Sequence, residues 1–100
     1  MWTGVQWQGT IPAGATKRWF TWGWPSAWHV VWYLMPTSVK PGAPELEWDV
    51  AVERANATQC TYWITVRNLV GQAVNFEGRF AGALTQESRC ASLLISKETR

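Results

Sequence analysis

Glu45, Glu47 and Asp49 stand two residues apart in a chain of 100 residues. On an extended strand, alternate residues share one face and lie roughly 6.5–7 Å apart. That falls inside the about 6.5–9.5 Å separating the two carboxyl groups of inverting glycosidases. Such a pair works only in a cleft, with one carboxyl kept protonated by burial. Here the acids occupy the polar side of an alternating stretch, which reads as a solvated face. Calcium ligation by the same acids would need a flexible loop. His29 is the sole histidine and lies between Trp28 and Val30 in the most apolar stretch, which suits a structural residue. There is no Gly-x-Ser-x-Gly elbow, phosphate-cradling glycine loop or Cys–His pairing. Cys60 and Cys90 with one histidine fall short of a four-ligand zinc site. The expectation is a protein that is not an enzyme and uses no metal or cofactor.

Recognition chemistry is better represented. Nine residues are tryptophan, and Trp19, Trp22, Trp24, Trp28 and Trp32 fall close together. Each aromatic side chain buries roughly 150–250 Å². A domain of this size hides only about two thirds of its unfolded surface. Some rings must therefore face a ligand, a partner chain or a membrane.

The surrounding composition narrows these choices. A net charge of +2, with Lys17–Arg18 the only adjacent basic pair, lacks the basic stripe that nucleic-acid binding requires. The same thin charge argues against attraction to a lipid surface. The N-terminus, Met1-Trp2-Thr3-Gly4, has no basic start or apolar run of the signal-peptide kind. No stretch approaches the ~18 apolar residues of a membrane span, so the chain reads as soluble. A Cys60–Cys90 disulfide and two reduced thiols are both open. The apolar alternation at Cys60 favours a buried thiol.

The elements that position the rings read as strands. A period of two runs through residues 46–53, 60–68 and 74–80. Leu46, Trp48, Val50 and Val52 form one apolar face, Cys60, Tyr62, Ile64 and Val66 the next, and Val74, Phe76 and Phe80 the third. Residues 2–8, 16–23 and 28–35 complete six strands. Val5 and Trp7 are expected inward. The 28–35 strand, apolar on both sides, is expected at a sheet centre. Residues 36–44, with three prolines, form a crossover loop between sheets. Gly71 suggests a tight hairpin joining 60–68 to 74–80 through a positive φ. The inward pairs would be Val66 with Phe76, Ile64 with Gly78 and Tyr62 with Phe80. The outward pairs would be Trp63 with Arg79, Thr65 with Glu77 and Arg67 with Asn75. The fold class is an all-β, antiparallel sandwich or partly open barrel of six to seven strands. Residues 1–84 would form the domain, and 85–100 a C-terminal edge strand or loosely held tail. Asn56-Ala57-Thr58 matches a glycosylation acceptor and reads as a turn.

In this arrangement Trp63 is set at the centre of a polar three-strand surface, among Asp49, Thr65, Glu77 and Arg79. A flat ring beside carboxylates and a guanidinium is the composition of a sugar platform. The competing reading is a cation–π pair between Arg79 and Trp63. Trp24 and Trp28, in a loop at the sandwich rim, would add a second aromatic contact, with Trp19 outward beside them. Trp7, Trp22, Trp32 and Trp48 would be core. In general character a Trp-rich sandwich resembles bacterial lectins and carbohydrate-binding modules, with no motif that carries residues over. The expected function is non-catalytic, lectin-like carbohydrate binding. The alternatives are a homo-oligomer burying its surplus aromatics and a domain that binds the membrane interface through its tryptophans.

Overall fold

The stretches that alternate in the sequence are the strands of the protein. In the computed structural model, which describes residues 1–83, they run β1 Trp2–Ile11, β2 Thr16–Pro25, β3 His29–Pro36, β4 Leu46–Arg54, β5 Gln59–Asn68 and β6 Val74–Ala83. They form two three-stranded antiparallel sheets, ordered β1-β6-β3 and β2-β5-β4. The expected tail at 85–100 lies outside the described residues, as does Cys90.

The sheets pack face to face around Ile11, Trp32, Leu34, Tyr62, Ile64, Val66, Val74 and Phe76. Aromatic rings knit this core. Trp24 meets Trp32 edge-on at 5.2 Å and Phe80 at 5.1 Å. Trp7 reaches Trp19, Trp32 and Phe76 at 6.0–6.2 Å. Edge-to-face pairs add about 0.5–1.5 kcal/mol each beyond the area they bury. The ring of Trp7 lies flat on the backbone of Gly78, where no side chain intervenes. Cys60 is a free, buried thiol, and burial followed by the nearby Cys60 pushes the Tyr62 hydroxyl above its usual pKa.

Three expectations are corrected. First, β5 and β6 do not pair. Each is the central strand of its own sheet, and residues 69–73 carry the chain across the sandwich. The alternation required both apolar faces to meet one core, and opposite sheets satisfy that as well as a hairpin does. Gly71 accordingly has no positive φ, a conformation confined among the described glycines to Gly14, Gly23 and Gly42. Asn68 shapes this link instead. Its side-chain amide donates to the carbonyls of Ile11, Pro12 and Gln72, and its oxygen accepts from the Val70 amide.

Second, β3 is an edge strand, and its outward Val31 is 66% exposed. The crossover after it does lead from one sheet to the other, as the prolines suggested.

Third, two bulges invert the alternation. In β1, Val5 pairs with Arg79 but Trp7 with Gly78, leaving Gln6 extra. Val5 therefore points outward and Trp7 inward. In β2, Thr21 pairs with Tyr62 and Trp24 with Cys60, so Trp22 and Gly23 together oppose a single residue. Gly23, at φ +81°, supplies the backbone conformation that this bulge needs. Inward positions thus switch from Trp19 and Thr21 to Trp24. The Asn56 segment is the turn it was read to be. The Asn56 carboxamide oxygen accepts from the amides of Thr58 and Gln59, an Asx-type closure of the β4–β5 hairpin.

Candidate functional site

The outer face of the β2-β5-β4 sheet carries the aromatic surface. Cross-strand pairing sets Trp63 between Phe20 on β2 and Ala51 on β4. Phe20 stacks on Trp63 with centroids 4.9 Å apart, and Trp22 follows Phe20 at 5.5 Å. The three rings form a continuous run across two strands. Trp22 is 70% exposed and Phe20 53%.

Polar groups brace this run. Trp63 Nε1 donates to Glu53 Oε1 at 2.8 Å. The Arg18 guanidinium lies over the Trp63 ring at 4.9 Å, a cation–π contact worth about 0.5–1 kcal/mol at an exposed site. Further along the face, Arg67 donates to Glu47 at 2.8 Å and to Asp49 at 2.9 Å. Hydrogen bonds to Glu47 and then Asp49 hold its guanidinium still more firmly protonated. Glu47 and Asp49 therefore act as a fixed pair of acceptors around one cation. Among the described residues no group of three or more His, Cys, Asp or Glu is placed to hold a metal ion, and no helix is long and apolar enough to cross a membrane.

The eight residues singled out from the sequence divide among three places. Trp63, Asp49 and Thr65 lie together on the β5 sheet's outer face, Asp49 paired with Thr65. Glu77 and Arg79 lie on the outer face of the other sheet, joined to each other at 2.9 Å. They cannot rim the Trp63 surface, because β6 is not a neighbour of β5. Arg18 takes the position expected of Arg79. The remaining three rings turn inward. Trp24 is buried, 9% exposed, and its Nε1 donates to Thr21 Oγ1 at 2.9 Å. Trp28 is half-buried, stacked on Trp2 at 4.7 Å. Trp19 is half-buried edge-on against Phe76 at 5.3 Å.

The residues missed from the sequence are Phe20, Trp22, Arg18 and Glu53. Two signals could have found them. Lys17 and Arg18 mark the start of β2 as solvated, and Gly23 marks a bulge after which parity need not persist.

Beside the aromatic run, a cleft of about 170 Å³ opens between β1 and β2. Trp7, Trp19, Phe20 and Trp22 wall it, and Gln6 and Thr21 supply its polar lining. Gln6 is the extra residue of the β1 bulge, and its amide donates to Thr21 Oγ1 at 3.2 Å. Comparison with protein-family models, with curated proteins and with solved structures found no match to the chain.

Proposed function

We propose that the protein is a non-catalytic carbohydrate-binding module whose ligand lies against Trp22 and Phe20. The observation that carries this reading is the 70% exposure of Trp22 beside a half-exposed Phe20, on a sheet face whose other members are mostly polar. Sugars present C–H patches and hydroxyls in alternation. Aromatic faces cover the first, and fixed carboxylates and guanidinium groups bond the second. Trp63 then serves as a brace more than as an open platform, since Phe20 and Arg18 cover its ring.

A broad glycan array followed by tryptophan-fluorescence titration of the best ligand tests the proposal. Replacing an exposed anchor ring at a binding surface commonly costs at least about 2 kcal/mol, or roughly thirtyfold in affinity. Trp22→Ala is expected to weaken binding by that factor and to leave the melting temperature nearly unchanged. An array with no bound glycan removes the reading.

A specific observation favours a second reading, self-association. The outer face of the β6 sheet holds an apolar groove of about 410 Å³ lined by Val5, Val31, Tyr33 and Ala81. Val50 and Val52 on the neighbouring edge strand β4 are also exposed. A second copy covering this side would bury the apolar surface that the monomer leaves wet. Light scattering at high concentration is expected to show a dimer or larger; a strict monomer excludes it. The two readings use opposite faces and are compatible.

A further inference from the structure

The β1–β2 cleft sets a partly satisfied polar pair, Gln6 and Thr21, among aromatic walls, and this sets it apart from an ordinary surface crevice. Thr21 is buried and accepts two hydrogen bonds through one oxygen, from Gln6 Nε2 and Trp24 Nε1. No acceptor for its own hydroxyl proton occurs among the described residues. Gln6 donates its amide hydrogen inward, which leaves its carbonyl oxygen to accept. A buried donor without an acceptor is destabilising by about 1–3 kcal/mol. Native proteins keep such groups where a ligand or an ordered water completes them.

The walls narrow the choice of ligand. Trp7, Trp19, Phe20 and Trp22 offer ring surface on several sides, and none of the lining residues is charged. Roughly 30 Å³ per water molecule gives room for five or six waters, comparable to one pyranose ring. Trp7 and Trp19 close the inner side, packed on Phe76, so a polymer cannot thread through. The open side is bordered by Phe20 and Trp22, the two exposed rings of the outer face.

We infer that this cleft takes the terminal ring of a glycan, an uncharged hexopyranose, while Trp22 and Phe20 carry the residue next to it. The inference rests on the carbohydrate reading of the outer face and adds to it that recognition begins at a chain end. The Thr21 hydroxyl donates to one ring substituent, the Gln6 carbonyl accepts from a second, and the Trp7 and Trp19 rings pack against the sugar.

Indole N–H resonances of the ¹⁵N-labelled full chain test this. The probes are methyl glycosides of glucose, galactose, mannose and N-acetylglucosamine, linear oligosaccharides of the same sugars, and methyl glucuronide as a charged control. At least one neutral methyl glycoside is expected to shift the Trp7 indole signal together with that of Trp22. Gln6 is exposed on its bulge, so Gln6→Ala retains the fold. That variant is expected to weaken monosaccharide and oligosaccharide binding about tenfold, the worth of one or two hydrogen bonds. If oligosaccharides move Trp22 without Trp7, and Gln6→Ala binds like the parent, the terminal-ring inference falls while the outer-face reading stands. If methyl glucuronide binds more tightly than the neutral glycosides, the uncharged class is wrong. If no glycan moves any indole signal, both fall together.

Discussion

Gly78→Ala is expected to destabilise the protein by about 3 kcal/mol or more, the upper range for overpacking a core. A Cβ at this position would stand far inside contact distance of Cε3 and Cζ3 of Trp7, and 2.6 Å from Cη2. Relief requires the Trp7 ring to move, and Trp19, Trp32 and Phe76 surround it at 6.0–6.2 Å. In a domain of this size the loss corresponds to a fall in melting temperature on the order of 10–20 °C. Gly71→Ala is the control, because nothing lies within 4 Å of its added carbon and its φ is not positive. It is expected to be neutral, or to stabilise slightly by reducing the freedom of the unfolded chain. A double variant, Gly78→Ala with Trp7→Leu, should lose less than the sum of the two single losses. Thermal melts of the four variants check this. A Gly78→Ala protein that melts with the parent would show that the ring does not lie on the strand.

The second large effect is at Asn68. The residue is 4% exposed at the end of β5. Its side chain satisfies the carbonyls of Ile11, Pro12 and Gln72 at 2.8–3.0 Å and the Val70 amide at 2.9 Å. Its backbone amide donates to Ala15, and that of Leu69 to Glu45. One side chain therefore joins the β1–β2 turn to the passage between the sheets. Asn68→Ala orphans several backbone groups at once and is expected to cost about 3 kcal/mol, several times the net worth of one hydrogen bond. Asn68→Asp should be worse at neutral pH, because an ionised carboxylate would face three carbonyl oxygens. That site would raise the carboxyl's folded pKa above its unfolded value. Its contribution is then least unfavourable at acid pH and deteriorates as pH rises. Urea unfolding of both variants at neutral and acid pH checks the sign. An Asn68→Asp variant as stable as the parent protein at neutral pH would rule out the hydrogen-bond pattern described.

The six strands were legible in the sequence, because alternation survives in Leu46-Glu47-Trp48-Asp49-Val50 and Cys60-Thr61-Tyr62-Trp63-Ile64 without interruption. Alternation specifies which residues share a face and says nothing about which strand lies alongside. Val66 and Phe76 both had to be inward, and they are, yet from opposite sheets. Glu77 and Arg79 left the candidate site for that reason alone. Trp63 was placed correctly because β5 is regular. Trp22 lies outward because Arg18, Phe20 and Trp22 share the outer face from the start of β2, the reverse of the expected parity, and Trp24 lies inward because the strand continues past a bulge where a residue pair opposes a single partner residue. Nothing in the spacing of Trp19, Trp22 and Trp24 distinguishes a bulged strand from a plain one. Gly23 was the available hint.

The strand order has a consequence for the way the chain is made. β1 and β3 pair with β6 and with no other described strand, and Trp2 lies opposite Gly82. Any piece of this chain that stops short of Val74 holds the two outer strands of one sheet with no centre to join them. The β4–β5 hairpin, closed by Asn56, is the only pairing between consecutive strands among the described residues. Every other ladder must wait for segments distant in sequence, the condition under which β proteins assemble slowly. Of the six described strands, the earliest to be synthesised is thus among the last to find its place.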